Sequence, residues 1–337
     1  MNVLDWPDQP ALAQFGPASW QSRVLAALVG VFVRPVLALL TGAGMVAHRV
    51  APGLLQRARL DLLDRPLRVL RPLPGTRLTA VSLPDCPAEW VVAPGPGGGT
   101  SRVIIYFPGS AVVTPGLNSH RRFASILSAS TGAQVLYVGY RLAPRVGITA
   151  AVADGLAAYR RALAQGHSPH RIVLAGDSAG GLVAAKTAIA IRDAGLPVPA
   201  GQVLLSPLAC PDLDPKRRTA KRPGGGWVPF STVKFIRRML TTGSNDGELS
   251  RQPRETDLRG LGPFLLQAGT DETFVDDTMV LAEQLAAARV PAWVQVWHKA
   301  PHMFQLSFDV NPDARRAMTE IAAFVAYATT VHDEASA

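Results

Sequence analysis

The chain has 337 residues, enough to bury one large core, and its hydrophobic share of 48% argues for a folded globule and against disorder. The formal charge of +9 invites nucleic acid or an anionic membrane as a partner. No zinc-ligand spacing, RNP-like segment or basic helix interleaved with aromatics accompanies it, so no nucleic-acid partner is expected. The clusters Lys216-Arg217-Arg218, Lys221-Arg222, Arg237-Arg238 and Arg251 to Arg259 read as a solvated basic face, with peripheral contact to an anionic membrane as the minority reading. Cys86 and Cys210 are the only cysteines, too few for a disulfide framework or a zinc site, and read as small core or loop residues.

The N-terminus opens with Asp5-Trp6-Pro7-Asp8 and not with a basic segment, so no signal peptide is expected and the localisation leans cytoplasmic. Two apolar runs, 24–33 and 36–40, are interrupted by Arg34-Pro35, which is expensive at the centre of a bilayer span. They are expected to form a helix packed on the protein, or secondarily one lying on a membrane surface, within an N-terminal helical cap segment over 1–75. A Pro/Gly-rich turn over 93–99 follows. Short continuous apolar runs then alternate with helical periodicity, the pattern of βαβ units and a mostly parallel sheet. Strands are predicted over 103–107, 134–138, 171–175, 202–205, 264–268 and 293–297. Helices are predicted over 150–165, 179–194, 276–288 and 313–328. A core over 76–337 is thus expected, with an insertion at about 210–260 that is basic, Gly/Pro-punctuated and amphipathic over 230–240. The two extra segments would cover the strand ends where α/β sheets bind ligands.

Gly176-Asp177-Ser178-Ala179-Gly180-Gly181 sits between a predicted strand and a predicted helix, the context of a nucleophile elbow. Glycines two residues either side of Ser178 permit a strained turn that lifts its hydroxyl above the sheet at a helix N-terminus, where N–H groups favour an oxyanion. A serine nucleophile needs a base and an orienting acid, in the chain order Ser, acid, His for this fold class. His302, just after the strand over 293–297, is the candidate base. The acid should follow the strand over 264–268. The loop Asp271-Glu272-Thr273-Phe274-Val275-Asp276-Asp277 supplies four carboxylates, of which Asp276 or Asp277 would cap the next helix. Chain order alone leaves Asp271 and Glu272 open.

Three segments, Gly176 to Gly181, Tyr140-Arg141-Leu142-Ala143-Pro144 and Pro301-His302-Met303-Phe304, resemble the hormone-sensitive-lipase family of α/β hydrolases over about 103–306. The resemblance implies an α/β-hydrolase fold, mostly parallel sheet flanked by helices, with a helical cap drawn from the N-terminus and an insertion. One branch of that family carries D-E-x-L-x-D-D in the acid loop with the Glu as triad acid, which favours Glu272 over Asp271 and gives Ser178, Glu272 and His302 as catalytic candidates. Tyr140 and Arg141 carry no chemistry of their own and read as structural. Where the family has H-G-G-G, this chain has Pro108-Gly109-Ser110-Ala111. The N–H groups of Ser110, Ala111 and Ala179 are expected to form the oxyanion hole, since a hole needs donors and not glycine side chains. The family's Asp-Tyr-Arg is also altered, with Gly139 in place of Asp. The implied activity is hydrolysis of short- to medium-chain, including acetyl, esters of small molecules through an acyl-enzyme, with no cofactor and no metal. The altered loop raises the alternative of a catalytically weak or non-catalytic hydrolase-fold protein.

Overall fold

The computed structural model of the chain describes residues 11–51, 64–95, 101–109, 118–143, 145–209, 213–220, 228–241 and 256–334. In chain order the main elements are β1 (Ala11–Phe15), α1 (Trp20–Leu28), a π-helical turn (Val29–Val33) and α2 (Arg34–Val50), the last three forming one continuous helix. There follow β2 (Arg77–Ser82), β3 (Pro87–Val92), β4 (Val103–Phe107), α3 (Arg121–Thr131), β5 (Gln134–Val138), α4 (Ile148–Ala164) and β6 (Ile172–Asp177). Then come α5 (Ala179–Asp193), β7 (Gly201–Leu205), α6 (Asp214–Ala220), α7 (Phe230–Thr241), β8 (Phe264–Gly269), α8 (Val275–Ala287), β9 (Ala292–Trp297) and α9 (Pro312–Glu334).

Among the described residues nine strands form one sheet in the order β1-β9-β8-β7-β6-β4-β5-β3-β2, with β3 antiparallel to both of its neighbours, β2 and β5, and every other pair parallel. The runs predicted as strands are buried on both faces, as continuous apolar sequence requires when helices cover both sides. One face packs against α4, α5 and α8 through residues such as Tyr159, Val183 and Leu285. The other packs against α3 and α9 through Phe123, Met318 and Phe324. Cys86 is a buried core thiol whose pKa burial pushes up to about 12, with the nearby Asp154 charge adding to the shift. Cys210 lies outside the described residues.

β1 was not anticipated. It extends the sheet beyond β9 in parallel register, Ala11 beside Trp293 and Phe15 beside Trp297, and Phe15 stacks on the Trp297 ring at 4.2 Å. The helix that follows corrects the expectation of a packed cap helix. It touches the body along one side, where Ser22, Ala26, Thr41 and His48 are buried, and its other side is bare: Val31, Phe32 and Leu39 are 65%, 64% and 73% exposed. Length and apolar composition are those of a helix able to cross a membrane, yet only 6% of its most apolar stretch is buried.

The acid loop also departs from expectation. Neither Asp276 nor Asp277 caps α8, whose N-cap Phe274 makes no side-chain cap bond. Both face the insertion instead. Asp276 accepts from Thr219 Oγ1, and Asp277 accepts from Lys216 Nζ at 2.5 Å and from the Ala209 N–H at 3.1 Å. The Lys216 and Asp277 side chains are fully buried, so the pair is a desolvated ion pair tying α6 to α8. Removing one partner leaves the other as an uncompensated buried charge. Lys216→Met is therefore expected to destabilise the fold by about 3–5 kcal/mol in urea unfolding. Lys216→Met combined with Asp277→Asn, which removes the stranded charge and keeps an acceptor for Ala209, should recover most of that loss.

Candidate active site

Sheet register gathers the candidate residues before any side chain is considered. Phe107 lies beside Gly176, Asp177 beside Leu205, and Gly269 beside Trp297, so the loops leaving β4, β6, β8 and β9 emerge along one edge. That edge is the carboxyl end of the parallel strands.

Ser178 occupies a sharp turn between β6 and α5 with φ of +50°, a strained conformation for a side chain with a Cβ. The turn is held by its own backbone, the Ser178 N–H donating to the Leu205 carbonyl at 2.8 Å and the Ser178 carbonyl accepting from Leu208 at 2.9 Å. The flanking glycines are steric necessities. A Cβ on Gly180 would overlap the Phe107 carbonyl oxygen, and one on Gly176 would overlap the Gly180 carbonyl oxygen.

His302 Nε2 stands 3.1 Å from Ser178 Oγ, and His302 Nδ1 stands 2.8 Å from Glu272 Oε2. Glu272 is fully buried, and its second oxygen accepts the Gly269 N–H at 2.9 Å. The Phe274 ring lies against the imidazole with centroids 5.2 Å apart. Asp271, the other acid candidate, turns away, accepting from Thr270 Oγ1 at 3.0 Å. The geometry thus brings Ser178, His302 and Glu272 into one hydrogen-bonded chain and leaves Asp271 out of it.

Of the expected oxyanion donors, Ala179 is the first residue of α5, directly after Ser178, where a helix N–H has no intrahelical acceptor. Ser110 and Ala111 lie outside the described residues. The backbone on either side of them is described, and both sides are anchored by carboxylates. Before them, the Gly109 N–H donates to Asp177 Oδ1 at 2.9 Å, and Tyr140 Oη donates to the Pro108 carbonyl at 2.6 Å. After them, the Asn118 and Ser119 N–H groups donate to the buried Asp64 at 2.7 and 3.0 Å. Asp177 also accepts from Tyr106 Oη and lies 3.4 Å from His120 Nε2. Burial, with the Asp177 charge adding to it, holds the Tyr106 and Tyr140 phenols far above their usual range, so both remain donors at any working pH.

Asp64 and Asp177 hold backbone on either side of Ser110 and Ala111 and were missed by sequence reasoning, whereas Tyr140, read as structural, is so placed. Asp177 and Tyr140 sit inside quoted motifs, but no pattern connects them to the partners they meet, among them the Gly109 N–H and the Pro108 carbonyl. Arg141 pairs with Asp154 at 2.8 Å and Asp85 at 3.1 Å, bracing the segment that carries Tyr140.

A sequence profile described as alpha/beta hydrolase fold matches residues 104–306. Esterase LipU of Mycobacterium tuberculosis is 34% identical over 305 residues, covering 88% of this chain and 99% of that protein. An acetyl-hydrolase of Streptomyces hygroscopicus is 33% identical, covering 74% and 82%. Among solved structures, an esterase from the bacterial hormone-sensitive lipase family superposes with a TM-score of 0.73 at 32% identity, covering 86% of this chain and 97% of that one. EstE5, in a crystal soaked with p-nitrophenyl butyrate, gives a TM-score of 0.77 at 27% identity, with coverages of 93% and 99%. With the profile spanning more than half of its length and the fold and relatives in agreement, this chain belongs to the alpha/beta hydrolases of the hormone-sensitive-lipase type.

Proposed function

We propose that the protein is a serine carboxylesterase that hydrolyses short- to medium-chain acyl esters of small molecules, acetyl esters included, through an acyl-enzyme on Ser178. The observation that carries this reading is the continuous hydrogen-bonded chain from Ser178 Oγ through His302 to the buried Glu272. The relatives named as esterases and as an acetyl-hydrolase support the bond type.

In this mechanism His302 Nε2 takes the hydroxyl proton as Ser178 Oγ attacks the ester carbonyl. Glu272 accepts the Nδ1–H, fixing the tautomer that leaves Nε2 free to act as base, and stabilises the imidazolium that forms. The carbonyl oxygen becomes an oxyanion facing the Ala179 N–H, with Ser110 and Ala111 as the remaining donors; one such donor is worth about 3 kcal/mol in the transition state. The imidazolium protonates the departing alcohol, and water activated by His302 then releases the acid. Nothing in the described geometry favours the non-catalytic alternative, and the assays below decide against it or for it.

Ser178→Ala should abolish both p-nitrophenyl butyrate hydrolysis and labelling by a fluorophosphonate; residual turnover at the wild-type rate would sink the proposal. Glu272→Ala is expected to lower kcat about 10³–10⁴-fold, while Asp271→Ala stays within about threefold of wild type. The reverse ranking in steady-state kinetics would reassign the acid. Tyr140→Phe removes only the hydroxyl that holds the Pro108 carbonyl, so kcat should fall about tenfold with KM little changed, as expected when donors aimed at the transition state lose their placement. A rise in KM at constant kcat would assign Tyr140 to ground-state binding instead.

A further inference from the structure

Among the described residues, the helix formed by α1, the π-helical turn and α2 carries most of the large apolar side chains that the fold leaves exposed. Trp20, Val24, Leu28, Val31, Phe32, Val36, Leu39, Leu40 and Val46 are all 48% exposed or more, at spacings of three and four that keep them along one stripe. A stripe of that size is a surface for a partner.

Its attachment limits what the partner can be. The start of the helix is tied to the body by Ser22 Oγ, which is fully buried and donates to Asp313 Oδ2 at 2.7 Å, and by the Ser19 N–H, which donates to the same oxygen at 2.9 Å. Its second half is tied to α7 by a Thr41–Thr232 hydroxyl contact at 3.1 Å and by Arg238 Nε donating to His48 Nε2 at 3.2 Å. The π turn absorbs about one extra residue between these pins, so Ser22 and Ala26 before it and Thr41 and His48 after it all face the body. The pins at Ser22 and Thr41 are about 28 Å apart along the helix at about 1.5 Å per residue. Both lie on one globular body, so the helix runs tangentially along that body. Crossing a bilayer would require breaking one of the pins.

Charge selects among tangential partners. Residues 11–51 contain no Asp or Glu, and they carry Arg23, Arg34 and Arg49. The neighbouring α7 adds the exposed Lys234 and has no acidic residue of its own. A second copy of this chain meeting the first along the stripe would bring like charges together. An anionic lipid surface would neutralise them while taking up the apolar side chains. Trp20, 69% exposed at the start of the helix, suits the headgroup boundary where indole rings settle.

We propose that this helix docks the protein in the plane of an anionic bilayer, its stripe set into the headgroup boundary and its basic flanks on the lipid phosphates. The inference deepens the esterase reading, since it places the site beside a lipid phase where apolar esters partition. Its test is independent of turnover.

Full-length protein is sedimented with vesicles of phosphatidylcholine alone or mixed equally with phosphatidylglycerol. Binding to the mixed vesicles is expected, with little to the neutral ones, and it should weaken at high salt. The double variant Val31→Glu/Phe32→Glu, at exposed positions, should bind the mixed vesicles at least about tenfold more weakly and keep wild-type hydrolysis of p-nitrophenyl butyrate. Ser178→Ala should bind as wild type does, which separates failure of the esterase reading from failure of this one. Absence of vesicle binding, or equal binding by the double variant, overturns the proposal. So does a dimer in light scattering that the double variant dissolves, which would make the occupant a second copy. Protein that stays in the membrane fraction of expressing cells through alkaline carbonate extraction would overturn the in-plane arrangement.

Discussion

The Ser178 turn passes so close to the end of β4 that the Gly180 backbone meets the Phe107 carbonyl, and the geometry of the site follows from that approach. A turn this tight holds Ser178 at positive φ, which aims its Oγ out of the sheet and places the Ala179 N–H at the open end of α5. The same contact brings Asp177 against Gly109, because the register sets Phe107 beside Gly176, and Asp177 one residue on meets the chain two residues beyond Phe107. The residue preceding Ser178 therefore fixes where the facing loop begins. Strain of this kind costs about 1–3 kcal/mol and persists only where surrounding structure over-determines it. Here the bonds to Leu205 and Leu208 do that.

Two buried carboxylates lie near Ser178, and their partners divide their work. Asp177 is engaged on the β4 side by Tyr106, Gly109 and His120. Glu272 is engaged on the β8–β9 side by Gly269 and His302. Buried carboxylates are stable only when such donors replace water. Each is satisfied by groups on its own side of Ser178, which leaves Glu272 as the carboxylate hydrogen-bonded to the imidazole. Asp271, part-exposed and bonded to Thr270, is satisfied without His302.

What could be read from the sequence follows from how local the determining physics is. The strands β4 to β9 were legible because burial on both faces demands uninterrupted apolar residues, and the elbow because Gly176 and Gly180 answer a steric need within five residues of chain. β2 and β3 went unseen. β2 is the edge strand, largely exposed over Arg77 to Ser82, β3 joins it to β5, and pairing, not composition, makes both of them strands. Asp276 and Asp277 looked like helix caps because capping is local, whereas the Lys216 ammonium that claims Asp277 comes from 61 residues away. Glu272 and Asp271 could not be told apart by order alone, since one residue of rotation along the loop decides which carboxylate meets His302. The exposure of the α1–α2 helix was illegible for the opposite reason: an apolar run is normally evidence of burial.

The N-terminal segment is less separable from the active site than its position in the chain suggests. β1 pairs with β9, and the His298 N–H donates to the Phe15 carbonyl at 2.8 Å, four residues before His302. Beyond His302, the 3-10 turn Phe304–Ser307 leads to Asn311 and Asp313, the two residues that receive Ser19 and Ser22 from the start of α1. The loop bearing His302 is thus gripped on both sides by residues 15–22. The start of the helix is joined to β9 and to the start of α9 by hydrogen bonds and not by chain connectivity alone. Packed cores and buried bonds pass on small displacements because they resist deformation. A surface that holds the α1–α2 helix therefore also sets the orientation in which His302 and Ser178 meet whatever lies on it.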